Sequence, residues 1–109
     1  MSEVWDDFSI VVTTDADDAT ILVAGELDLA SAPQLQRAFD DRLERQVTVD
    51  LAGVTFIDST GLRALVTARN DLAERNQQLV VGRCSPAAAR VFALTGLGDA
   101  LGVTGAAPG

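Results

Sequence analysis

Four consecutive residues, Asp58-Ser59-Thr60-Gly61, place a carboxylate, two hydroxyls and a glycine just ahead of a helical pattern. Asp58 is the natural N-cap, because its short side chain can accept from backbone N–H groups that a helix start leaves unpaired. Ser59 is then the first helical residue, and its hydroxyl projects from the positively polarised end of the helix. A hydroxyl displayed to solvent on a rigid element is what a kinase substrate needs. Phosphorylation there adds about −1.5 to −2 charges and three acceptor oxygens at one point. By capping preference alone, however, an Asp-Ser pair is more often an ordinary helix start than a phosphosite.

The remaining residues offer little catalytic chemistry. Glu26 and Asp28 could be an acid/base pair or simply solvated loop carboxylates, but no histidine, pocket signal or cofactor motif accompanies them. The chain has no histidine and no lysine, which removes the usual activators of a serine nucleophile and the commonest metal ligand. One cysteine, Cys84, can form neither an internal disulfide nor a zinc site, and it reads as a small core residue. There is no glycine-rich phosphate loop. No catalytic residue, metal or cofactor is therefore expected.

Charge narrows the partners. Sixteen acidic residues against 8 basic ones, all arginine, give a net charge of −8. That balance argues against nucleic acid and against an anionic membrane surface. Arg37, Arg42 and Arg45, interleaved with Asp40, Asp41 and Glu44, read as a solvated helix face. No apolar run approaches a membrane span, and Met1-Ser2-Glu3 lacks a basic start, so a cytoplasmic protein is expected.

The elements that must position Ser59 follow from pattern. With 109 residues and 48% hydrophobic content, the chain should fold as one globular domain. Residues 8–12 and 20–24 read as strands joined by the turn Asp15-Ala16-Asp17-Asp18, an antiparallel hairpin whose open end Trp5 covers. Ser31 with Gln34 three residues on suggests a capping box, with Pro33 in the first helical turn. That helix is expected to bury Leu35, Ala38, Phe39 and Leu43 and to run to about Arg45. Val47, Val49 and Leu51 alternate as a central strand, followed by a connection through residues 52–57. The central helix then runs from Ser59 to about Asn76 and buries Gly61, Leu62, Leu65, Ala68 and Leu72. Residues 78–82 form another strand. Ser85 caps a last helix that has Pro86 at its first position, Ala88, Val91 and Phe92 inward, Gly96 as its stop and Leu97 folding back. Residues 101–103 suggest a short edge strand. The order of elements predicts an α/β domain with a mixed sheet spanning residues 8–103, between an extension at 1–7 and a flexible tail at 104–109.

Helical geometry adds a surface. At about 100° per residue, Ser59, Arg63, Val66, Thr67 and Asn70 share a stripe turned away from the buried face. This stripe is expected to form a docking surface. Arg63, four residues after Ser59, is within reach of a phosphate attached there. Gly61 costs roughly 1 kcal/mol inside a helix relative to alanine, which close approach by a neighbouring strand or by a partner would explain.

Three blocks carry a family resemblance: Gly25-Glu26-Leu27-Asp28 with Ala32-Pro33, then Asp58-Ser59-Thr60-Gly61-Leu62, then Ser85-Pro86 with Val91-Phe92 and Thr95-Gly96-Leu97. In order and spacing they resemble the STAS family, and among its members the single-domain bacterial anti-sigma factor antagonists. The resemblance implies a STAS-like α/β fold and a phosphoryl switch without catalysis. In such antagonists the serine after the aspartate, here Ser59, is phosphorylated by an anti-sigma factor that is also a serine kinase. The unmodified form binds that kinase and frees the sigma factor, the phosphorylated form lets go, and a serine phosphatase restores it. By the same similarity, Glu26 and Asp28 lie in the strand-to-helix loop that borders Ser59 and helps form the docking surface together with the stripe, a surface to which Asp58, Thr60 and Gly61 are also assigned. Arg63 departs from a glycine common at its position in the family. Two other roles stay open on the resemblance: an unmodified adaptor subunit of a larger assembly such as a lipid transporter, and a small-ligand sensor.

Overall fold

A computed structural model describes residues 1–98 and Leu101. Its five strands lie in the order β1-β2-β3-β4-β5, so each strand hydrogen-bonds to its neighbours in sequence. The strands are β1 (Ser2–Trp5), β2 (Phe8–Asp15), β3 (Asp18–Leu27), β4 (Gln46–Ile57) and β5 (Gln78–Cys84). The first three run antiparallel, whereas β3, β4 and β5 are mutually parallel. Helices α1 (Ala32–Asp40) and α2 (Ser59–Glu74) make the two parallel crossovers, and α3 (Pro86–Thr95) follows β5.

Alternation along the strands explains the layering. Phe8, Ile10, Val12, Ile21, Val23, Val47, Val49, Leu51, Leu79 and Val81 are buried on one face in a single apolar cluster. Leu35 and Phe39 of α1, Leu62, Leu65, Ala68 and Leu72 of α2, and Ala88 and Phe92 of α3 complete that cluster. Residues of opposite parity, such as Thr20, Thr48 and Val80, are only half-buried. The helices thus cover one face of a mixed sheet, as the sequence leads one to expect.

The β2–β3 hairpin forms as expected, with its strands longer and Asp15 paired to Asp18 across Ala16, whose φ of 53° is left-handed. The central helix buries all five of the residues assigned to its inner face. It ends in a Schellman-type stop one residue beyond Arg75: Asn76 is left-handed at φ 61°, Gln77 N donates to Leu72 O at 2.8 Å, and Asn76 N donates to Ala73 O at 3.1 Å. In α3, Ser85 Oγ accepts from Ala88 N at 3.1 Å, Pro86 is the first residue and Gly96 stops the helix at φ 70°.

Four sequence expectations are corrected. Residues 1–7, read as an extension, contain the edge strand β1, in which the Trp5 ring packs on Phe8 at a centroid distance of 5.7 Å. Residues 52–57 are not a connection, because β4 continues through them paired with β3. Register shifts between Leu22 and Ala24 and between Gly25 and Glu26 interrupt the period of two there and hide the strand. Helix α1 stops at Asp40 rather than near Arg45, and Leu43 is 88% exposed. Beyond its end, the Gln77 side-chain amide donates to Arg42 O at 2.9 Å and Glu44 O at 2.8 Å, holding an irregular link. Ser31 makes no capping hydrogen bond to the helix, because its hydroxyl is engaged by the preceding loop. The edge strand expected at 101–103 and the tail at 104–109 lie outside the described residues, apart from Leu101, which is buried.

Candidate functional site

The tetrad forms the start of α2 as its residue types require. Asp58 is extended (φ −110°, ψ −174°), and its Oδ1 accepts from Gly61 N at 2.9 Å, satisfying one of the N–H groups a helix start exposes. Its own N–H donates to Leu27 O at 3.3 Å, which ties the cap to the end of β3. Ser59 is the first helical residue and is exposed. Gly61 is explained by the strand: a Cβ there would lie 2.4 Å from Leu27 O and 2.8 Å from Leu27 Cγ. Only glycine lets the first turn of α2 settle against β3.

Leu27 is therefore the hinge between the two predicted parts of the site. Glu26 and Asp28 flank it, so the tetrad and the β3–α1 loop are brought side by side. The loop is rigid by hydrogen bonding. Asp28 Oδ1 accepts from Ala30 N at 3.0 Å and Ser31 N at 3.2 Å, while Ser31 Oγ donates to Glu26 O at 2.7 Å and accepts from Asp28 N at 2.9 Å. The Asp28 carboxylate thus shapes its own loop. Glu26 N donates to Asp7 O at 2.8 Å, and the Glu26 side chain is half-buried at the rim of a cleft.

Along α2, Arg63, Thr67 and Asn70 are exposed on the same side as Ser59. Val66 differs: it is half-buried and packs against the core, so the stripe is interrupted by one apolar residue. Thr60, half-buried, lines a shallow depression of about 250 Å³ together with Arg63, Ala64 and Thr67 of α2 and Leu29, Ala32, Pro33 and Gln36 from the loop and α1. Leu29 is 73% exposed at its edge. Sequence patterning does not find Leu29, because a lone apolar residue in a loop has no periodic partner.

The chemistry available is that of a surface. Among the described residues no group of three or more His, Cys, Asp or Glu side chains could hold a metal ion. Burial, and secondarily the Asp50 carboxylate, push the Cys84 thiol up from its ordinary range, so it is a protonated, half-buried packing group. Asp50 itself pairs with Arg83 at 2.6 Å. No helix among the described residues is long and apolar enough to cross a membrane.

Comparison with known proteins gives a consistent family. The family description "Mlab, STAS domain" matches residues 10–104. The "Anti-sigma-B factor antagonist" of Listeria monocytogenes is 36% identical over 88 residues, covering 78% of this chain and 77% of that protein. The crystal structure of an anti-sigma factor antagonist from Mycobacterium paratuberculosis superposes with a TM-score of 0.78 at 26% identity, covering 88% of this chain and 84% of that one. The Bacillus cell fate determinant SpoIIAA in its phosphorylated form shares the fold, with a TM-score of 0.69 at 18% identity over 87% of this chain and 88% of that one.

Proposed function

Since this chain belongs to the STAS domain family, we propose that it is an anti-sigma factor antagonist whose docking is switched by phosphorylation of Ser59. The observation that carries the reading is the exposed Ser59 at the first position of α2, set against the end of β3 beside the Glu26 to Asp28 loop. In the unmodified state the protein binds an anti-sigma factor that doubles as a serine kinase, and the sigma factor is released. The docking surface comprises Glu26, Asp28, Asp58, Ser59, Thr60, Gly61, Arg63, Val66, Thr67 and Asn70.

Energetics favour a switch in binding over a switch in fold. A phosphate on Ser59 meets the helix N-terminus, where an anion gains roughly 0.3–1 kcal/mol, so the fold tolerates it. Asp58 is already committed to Gly61 N and adds a like charge nearby. At an interface the same group, buried and imperfectly paired, costs several kcal/mol, and each 1.4 kcal/mol is about tenfold in affinity. Arg63, one turn on and exposed, neutralises part of the new charge and sets how sharply the switch acts. A serine phosphatase resets the system, and the antagonist itself needs no catalytic group, metal or cofactor.

The test is a pull-down with unmodified protein as bait, followed by incubation of the captured kinase with ATP and intact-mass measurement. Wild type gains one phosphate and Ser59→Ala gains none. Capture of a partner without any phosphate transfer would instead favour an adaptor role, in which the STAS surface is not modified.

A further inference from the structure

All three helices bury their apolar sides in the cluster on one face of the sheet, and Leu101 joins the same cluster. No described helix packs on the other face. Cross-strand register assigns that open face its residues. One row runs through Val11, Leu22 and Asp50, and the next through Thr20, Thr48 and Val80. Val11 is 38% exposed, and Val4, opposite Ser9 on the edge strand β1, is 78% exposed.

Charge sets this face apart. The chain carries −8 in all, yet the two rows hold a single charged residue, Asp50, and Arg83 neutralises it. A register shift between Val49 and Leu51 sets two residues of β5, Gly82 and Arg83, against Asp50, which turns the Arg83 side chain onto this face. There Asp50 Oδ2 accepts from Arg83 Nε at 2.8 Å and from Arg83 Nη2 at 2.6 Å. Asp15 and Asp18, of the same parity, stand at the hairpin end of the face. The helix side instead exposes Arg63, Arg69 and Glu74. A centre depleted of charge inside a polar rim is the compositional mark of a protein–protein interface.

We propose that the open face is the contact between two copies of this chain, stacked sheet on sheet about a twofold axis. Its size permits this. With strands about 4.8 Å apart and a rise of about 3.3 Å per residue, five strands of this length offer a face of about 24 by 25 Å, or about 600 Å². Pairing two such faces removes about 1,200 Å² in total, at the lower end of specific interfaces and above the usual crystal contact. Charge selects the occupant. Two molecules of −8 repel wherever their acids meet, and least where both present a neutral surface. A strongly charged partner would gain little from a neutral face, whereas a second copy brings the same Val, Leu and Thr rows to pack against, at the angle that twisted sheets adopt. Ser59 begins a helix on the other side of the sheet, so each copy keeps its docking surface free, and dimerisation does not depend on the switch.

The test is sedimentation equilibrium of the full chain from about 5 to 500 µM, at low salt and in about 0.5 M NaCl. The mass should rise with concentration from 11.4 kDa toward twice that value. Salt should strengthen association about threefold or more, because it screens repulsion between two acidic chains, whereas a contact built on opposite charges would weaken. Val11→Asp and Val4→Asp each bring a like charge to both sides of the contact and should weaken association at least about tenfold. Val4 is exposed enough that its variant tests the contact even if Val11→Asp disturbs the fold. Leu94→Asp makes the same change at a position 79% exposed on α3 and should shift association by no more than about twofold. A mass of 11.4 kDa at every concentration would overturn the proposal. So would a loss with Leu94→Asp as large as that with Val4→Asp, since association would then lie on the helix side or follow net charge alone. No kinase enters this measurement, so its outcome is separate from that of the phosphorylation assay.

Discussion

Adjacent residues in the tetrad divide two tasks. Asp58 holds the helix start together, and Ser59 beside it is left exposed. Removing the cap should therefore weaken the fold without removing the hydroxyl: Asp58→Ala should lose about 1–2 kcal/mol in urea denaturation, because Gly61 N is left without its partner. Gly61 should behave against helix propensity. Alanine ordinarily gains about 1 kcal/mol over glycine in a helix, yet here its Cβ would collide with Leu27 O, so Gly61→Ala should destabilise by about 1–3 kcal/mol. A more stable Gly61→Ala protein would show that α2 does not press on β3. At Cys84, burial favours the protonated thiol. Alkylation in the native state should accordingly require higher pH than for the unfolded chain. The linkage has a definite sign: stability is full below the unfolded thiol's pKa and declines as pH rises from there toward the folded one.

Elements show where sequence patterning succeeds and where it stops. The start of α2 and its inner face are legible because they depend on local geometry: an aspartate that can reach an N–H three residues on, and a 3.6-residue period. The start of α1 has equally good local signals in Ser31, Pro33 and Gln34, but tertiary bonds outcompete them. Ser31 turns its hydroxyl back to Glu26 O and Asp28 N, so it locks the loop rather than the helix. Ser31→Ala should cost about 1–3 kcal/mol and should speed hydrogen exchange at the Asp28 amide, whereas loss of a simple cap would leave that amide unchanged. The second half of β4 escapes pattern reading because its register is set by β3 across two irregularities. Strand β1 escapes it too: its residues are largely exposed on both faces, so they carry no alternation. Both missed segments bear on the proposed surfaces. The continuation of β4 delivers Asp58, and β1 adds Val4 to the open face of the sheet.

At the scale of the whole molecule, the helices cover one face of the sheet, and the loop, the tetrad and the outer side of α2 meet at one end of it. The domain carrying this surface was legible as a STAS fold from three sequence blocks. The exposed Leu29 and the charge-poor open face of the sheet were not, because they arise from segments distant in sequence. On the proposed switch, a phosphate on Ser59 should leave this fold in place. Phosphorylated and unmodified protein should therefore melt within a few degrees of each other, given a gain at the helix N-terminus of only about 0.3–1 kcal/mol. Partner affinity is where the modification should register. The decisive measurement is calorimetric titration of the captured anti-sigma factor into unmodified and Ser59-phosphorylated protein. Binding at least about tenfold weaker to the phosphorylated form is the expected result. Equal affinities for the two forms would contradict the switch.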